Sequence, residues 1–263
     1  MIRPIVLATA ALAAGAPVAA AHEASAPGAA AHASGARSAT APSTIRPTLD
    51  ITSASVTVTD ATARFRITTK SRPGAVRPRR TGHLAGAGVQ SYVWPTSLDP
   101  SVVGFPAASG ILSLAVTSHP DFDDTPLFDE DGDGDRADDG REWHSHWVVL
   151  HPDASCGGGL KVVDIADGAT PELPATWPGL PLLIDSPGWQ PVFGARRVEV
   201  VVPFHDRAVL RSAHFDAVTA ALQVNADLHA PLLCVTQAQD VLSGDLSLPG
   251  VFAAAHGQEA SPR

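Results

Sequence analysis

The chain has 263 residues, a formal net charge of −9, 17% charged residues, 23 prolines and 22 glycines. An acidic balance gives no electrostatic footprint for nucleic acid, which is excluded as a partner, and the scattered prolines and glycines exclude long helices. The length suits one domain with a substantial core once low-complexity ends are set aside.

The first 21 residues carry Arg3, an apolar run from Ile5 to Ala14, and the small residues Ala19, Ala20 and Ala21. A basic start, an apolar run too short to cross a bilayer and an A-x-A cut site together predict a cleaved signal peptide. The protein is therefore expected in a periplasm or outside the cell, with no transmembrane segment in the mature chain. Cleavage after Ala21 would place His22 first, where amine and imidazole form a copper-chelating pair, although a one-residue shift of the cut abolishes it. Residues 22–47 are rich in Ala, Ser and Pro and read as a flexible tether; residues 253–263 read as a disordered tail. The domain is expected over residues 48–252.

Within it, short β-branched or alternating runs predict strands at 49–60, 63–69, 88–94, 111–118, 142–150, 160–165, 197–204, 217–226 and 232–238. The run at 217–226 fits a helical period as well and is taken as a strand. Nine strands without intervening helices predict an all-β fold, an antiparallel β-sandwich. Cys156 and Cys234, the only cysteines, are expected to pair in an oxidising compartment. Closing a loop of that length corresponds to about 4 to 5 kcal/mol in the chain-entropy model.

The hairpin from Asp50 to Thr69, followed by a glycine-bearing loop, resembles the opening hairpin of DOMON-like secreted β-sandwich modules, which bind haem or sugar. The resemblance covers residues 50–69 and holds no ligand residue, so it implies a fold and carries no site. A carbohydrate- or haem-binding module is kept as an alternative function on this ground.

Between Asp121 and Asp139 ten carboxylates face one Arg136, a local charge equal to that of the whole chain. Such density needs cations or full solvation. Asp129, Asp131, Asp133, Gly134 and Asp135 match the D-x-D-x-D-G pattern, in which oxygens at alternating positions converge on a hard cation. The segment 129–140 resembles an EF-hand or dockerin-type calcium loop, except that Gly140 stands where the family has its bidentate Glu. Closure would fall to Asp138, Asp139 or Glu142. Calcium is the expected ion, with a solvated acidic loop as the plain alternative.

Directly after the loop comes Trp143-His144-Ser145-His146-Trp147. A strand period of two places His144 and His146 on one face with Val148 and Leu150, and Trp143, Ser145 and Trp147 on the other. H-x-H on a strand face is a spacing from which zinc and copper sites are built, given further ligands from a neighbour. His119 is the expected third ligand, with His205, His214, His83 and His151 as other candidates. The tryptophans fit either the core or an aromatic platform for a planar ligand.

No G-x-S-x-G, H-E-x-x-H, phosphate-binding or dinucleotide fingerprint occurs. Residues 64–80 hold seven basic residues and no acidic one, which reads as an exposed hairpin and loop able to meet an anionic surface. The function expected is an exported, non-enzymatic metal-binding protein with calcium in the acidic loop and zinc or copper at the histidine strand. A metal-dependent enzyme using His144 and His146 is the alternative of a different class. Expected partners are metal ions, with a glycan, haem or another exported protein as further options.

Overall fold

The computed structural model describes residues 44–60, 62–125, 129, 134–135, 139–227 and 231–255. The predicted signal peptide, most of the tether and the last eight residues lie outside them. Among the described residues regular structure is β, interrupted by three short 3-10 turns.

Strands β1 (Ile51–Thr59) and β2 (Thr62–Thr69) form the predicted antiparallel hairpin. Its alternation is that of a sheet covered on one side: Ile51, Ala54 and Val56, then Ala63, Phe65 and Ile67, are buried. With β8 (Val192–Phe193), β9 (Arg197–Pro203), β10 (His214–Phe215) and β13 (Gly250–Ala254) they make a first sheet in the order β10-β13-β1-β2-β9-β8. The pairing of β1 with β13 is parallel, an exception to the antiparallel pattern.

The second sheet takes β3 (Gly88–Pro95), β4 (Ile111–Ser118), β5 (His144–Pro152), β6 (Leu160–Val162), β7 (Ile184–Asp185), β11 (Val218–Val224) and β12 (Leu233–Val241). Its order is β4-β3-β11-β12-β6-β5-β7, and β4 also pairs with β5, from Ile111 opposite Leu150 to Thr117 opposite His144. That pairing closes six strands into a barrel, against which β7 extends β5. The expected sandwich is therefore replaced by a closed barrel with a second sheet beside it. The ambiguous run at 217–226 is strand, as read.

Closure removes an edge that an open sheet would expose. It also gives β3, β4 and β5 two buried faces, which is why they read as nearly continuous apolar runs. Tyr92, Trp94, Leu112, Leu114, Trp147 and Val149 pack with Phe65, Val200 and Phe252 of the first sheet in a core between the sheets. Val93, Ala115, Val148 and Leu150 turn into the barrel beside Val218, Ala220 and Leu222.

The weakest seam of the barrel lies between β12 and the three-residue β6, which share one register pair, Cys234 opposite Lys161. Cys156, in the turn joining β5 to β6, forms the expected disulfide with Cys234 across that seam. The Gly158 amide adds a hydrogen bond to the Val235 carbonyl, 2.7 Å.

Candidate metal centre

Three elements bring four side chains together at one end of the barrel. His119 follows the last residue of β4, Asp124 sits in the turn after it, and His144 and His146 occupy alternate positions of β5. The β4–β5 register sets Ala115 opposite His146 and Thr117 opposite His144, so both imidazoles point to the barrel side next to the end of β4. All four residues are buried, and their ligating atoms lie within 4.8 Å of one another. His144, His146 and His119 are thus brought together as expected.

Asp124 was not singled out among the ten carboxylates. Nothing in the sequence separates it from its acidic neighbours; it lies five residues beyond His119 beside Thr125, and it is the turn after His119 that buries both.

The orientation of the rings fixes their chemistry. His119 Nδ1 meets the Phe122 carbonyl at 2.7 Å, His144 Nδ1 the Glu142 carbonyl at 3.0 Å, and His146 Nδ1 the Asp185 carbonyl at 3.2 Å. A carbonyl only accepts, so a neutral ring donates from Nδ1 and turns an accepting Nε2 toward the cluster, where His144 Nε2 also lies 3.3 Å from the Thr117 hydroxyl. The three Nε2 atoms surround Asp124 Oδ1 at 3.1 Å (His119), 3.3 Å (His144) and 3.4 Å (His146). These contacts have ion-pair lengths, and a ring whose proton sits on Nδ1 has none to place along them. Accordingly Asp124 Oδ1 and His146 Nε2 are buried without a hydrogen-bond partner.

Buried polar atoms left unpaired cost about 1 to 3 kcal/mol each. Four donors around a tetrahedral zinc at 2.0 to 2.1 Å stand about 3.3 Å apart, which is the spacing of the carboxylate oxygen from the three nitrogens. His119 Nε2 and His144 Nε2 are closer, 2.7 Å, where two lone pairs repel unless a cation or proton separates them. These residues could hold one metal ion.

The protonation states agree with that use. Burial drives His146 down to about 3, against the pull of Asp124. Burial by itself raises Asp124, but the surrounding imidazoles, His119 foremost, hold it well below the usual carboxylate range. A neutral imidazole and an ionised carboxylate are the forms that ligate.

A supporting layer holds the ligands. The Ser186 hydroxyl donates to the Asp124 carbonyl at 2.8 Å and lies 3.1 Å from His146 Nδ1, tying the two ligands through one side chain. Phe122 stacks on His119 with ring centroids 4.2 Å apart. The His119 amide donates to the Gly140 carbonyl at 2.7 Å. A Cβ at Gly140 would collide with the Phe122 carbonyl and stand 2.7 Å from His119 Nδ1. The glycine that breaks the calcium-loop pattern at its twelfth position is required by the histidine site.

The acidic segment divides. Asp121 Oδ1 accepts the Thr81 and Gly82 amides, both at 2.6 Å. Asp123 caps its own turn through the Thr125 amide, 2.7 Å. Among the calcium candidates, Asp129 Oδ2 accepts the Gly134 amide at 2.9 Å, and Glu142 is held by Arg77 through two hydrogen bonds of 2.7 and 2.9 Å. Asp135 is exposed, while Asp131, Asp133, Asp138 and the side chain of Asp139 lie outside the described residues. His83, His151, His205 and His214 are exposed and do not join the cluster. Trp143 and Trp147 belong to the core between the sheets.

No protein-family model, curated protein or solved structure matches this chain. Its function has to be read from the geometry alone.

Proposed function

We propose that the chain is an exported metal-binding β protein that holds one zinc or copper ion between His119, Asp124, His144 and His146. The observation that carries this reading is the convergence of three imidazole nitrogens on one buried carboxylate oxygen, with that oxygen and His146 Nε2 left without a hydrogen-bond partner. Nitrogen-rich donors of this softness suit zinc and copper, whereas calcium and magnesium prefer shells of oxygen. Four protein donors match the ligand count of sites that bind rather than turn over, and zinc and copper both accept a further ligand beside them. Export is supported by the Cys156–Cys234 disulfide and by the leader-like first 21 residues.

Elemental analysis of natively purified protein, followed by calorimetric titration, tests the reading. One equivalent of zinc or copper is expected, with His146→Ala and Asp124→Asn each weakening binding at least 100-fold. Wild-type protein that takes up neither ion overturns it.

The loop at 129–139 is proposed to take calcium separately, on the support of its D-x-D-x-D-G spacing and the turn that Asp129 makes with Gly134. Added calcium then raises the melting temperature and EGTA reverses the rise; a melting curve indifferent to both removes calcium from the proposal.

A further inference from the structure

The barrel interior beside the cluster is not filled. Larger side chains on the six strands would close it, but Ala115 and Ala220 stand among valines in its lining, and a cavity of about 110 Å³ remains. Its lining is almost wholly aliphatic; the polar exceptions are Ser91, Thr117 and the three cluster residues His119, Asp124 and His146. Ser91 donates to the Ala220 carbonyl at 3.0 Å and is thereby spent. The ligating groups thus form one wall of an otherwise apolar chamber. Leu84, on the loop over the same end, lines the chamber and is also 47% exposed, so the chamber reaches solvent past an apolar rim.

Charge then selects the occupant. A dication bound by three neutral imidazoles and one carboxylate keeps one uncompensated positive charge against an aliphatic wall, and buried charge is costly unless paired. An anionic head neutralises it, while an apolar tail fills the cavity. Size sets the tail: about 150 Å³ holds a benzene ring, so this chamber takes about three to five non-hydrogen atoms.

We propose that the barrel is a binding chamber for a small branched or short-chain carboxylate, its head on the ion held by the histidine cluster and its tail among Val93, Ala115, Val148 and Ala220. This rests on the metal reading above. The chamber provides the specificity and the ion provides the anchor.

The test uses cobalt(II) as the resident ion, because its visible bands report changes in its ligands. The full-length protein loaded with cobalt(II) is titrated with isobutyrate and, in parallel, with acetate. A saturable spectral shift is expected with isobutyrate, about tenfold tighter than with acetate, as two further buried carbons imply. Ala220→Leu, which fills the chamber at a distance from the ligands, is expected to keep cobalt(II) and abolish the preference for isobutyrate. Should that variant fail to fold, competition by xenon for the isobutyrate site in the wild-type protein replaces it, with displacement expected. Cobalt-loaded protein that binds isobutyrate no better than acetate, an unchanged preference in a folded Ala220→Leu variant, or indifference to xenon overturns the chamber while leaving the metal site standing. Protein that takes up no cobalt(II) overturns both.

Discussion

The two cores of this molecule are built on opposite principles although they share three strands. Between the sheets, Phe65 touches Trp94, Trp147 and Phe252 edge to face with ring centroids 5.6 to 6.0 Å apart, and the space is closed by large rings. Inside the barrel the side chains are mostly alanine, valine and leucine, space is left over, and the polar cluster sits at one end. The first arrangement maximises buried area and contact, which is where stability resides. The second gives up contact for a site, which is the usual relation between stability and function. Strand β5 divides the two tasks by its alternation, with tryptophan on one side and histidine on the other.

Breaking the barrel at its seam has the largest expected effect. Replacing Cys156 and Cys234 together by serine should cost about 4 to 5 kcal/mol by the loop-closure argument, read as a lower denaturation midpoint that reductant reproduces in the wild type. Next, Trp147→Ala should cost about 3 to 5 kcal/mol and still show a zinc-dependent rise in melting temperature. Its neighbour gives the opposite pattern. His146→Leu should lie within about 1 kcal/mol of wild type in chelator, but lose the stabilisation of about 2.7 kcal/mol that zinc at 100 times Kd gives the wild type. Two substitutions one residue apart would then separate the cores experimentally; a Trp147→Ala protein that folds without zinc response and a His146→Leu protein that retains it would reverse the assignment.

The smallest effect is expected on the outer face of the first sheet. Burial raises Glu199, but Arg66 and Arg197 outweigh it and hold the carboxyl below its usual 4.5. Arg66 Nε bonds it at 2.7 Å and Arg197 Nε at 2.8 Å. A depressed carboxyl adds stability that is present above pH 4.5 and lost as pH falls through the folded value. The arginines are half exposed, which screens the pair. Glu199→Gln should therefore lower stability by about 1 kcal/mol at neutral pH and by nothing below the folded value, as denaturant midpoints across pH would read.

Much of this was legible in the sequence, for definite reasons. Period-two alternation marks β1, β2 and β9 because one face of their sheet meets solvent, and it assigns His144 and His146 to one side of β5 because that rule is geometric. Barrel closure was not legible. It depends on β4 pairing with β5 across the acidic segment, and two-sided burial gives those strands the same apolar runs that a buried sandwich strand would have. Asp124 was hidden by its neighbours, since a count of charge carries no information on which carboxylate the turn after His119 folds inward. Gly140 was visible as a departure from a calcium loop, but its cause is the imidazole and carbonyl packed against it, a contact that only the folded chain contains.

Trp143-His144-Ser145-His146-Trp147 answers to both cores at once. A shift of one residue would bring indole into the site and imidazole into the aromatic packing, so drift on one side cannot be absorbed without damage on the other. A protein descended from a common ancestor with this one should therefore keep the five-residue pattern, together with a histidine and an aspartate five apart upstream, long after its loops and termini have changed. That pair of short patterns is a query by which remote kin can be sought when overall resemblance has faded.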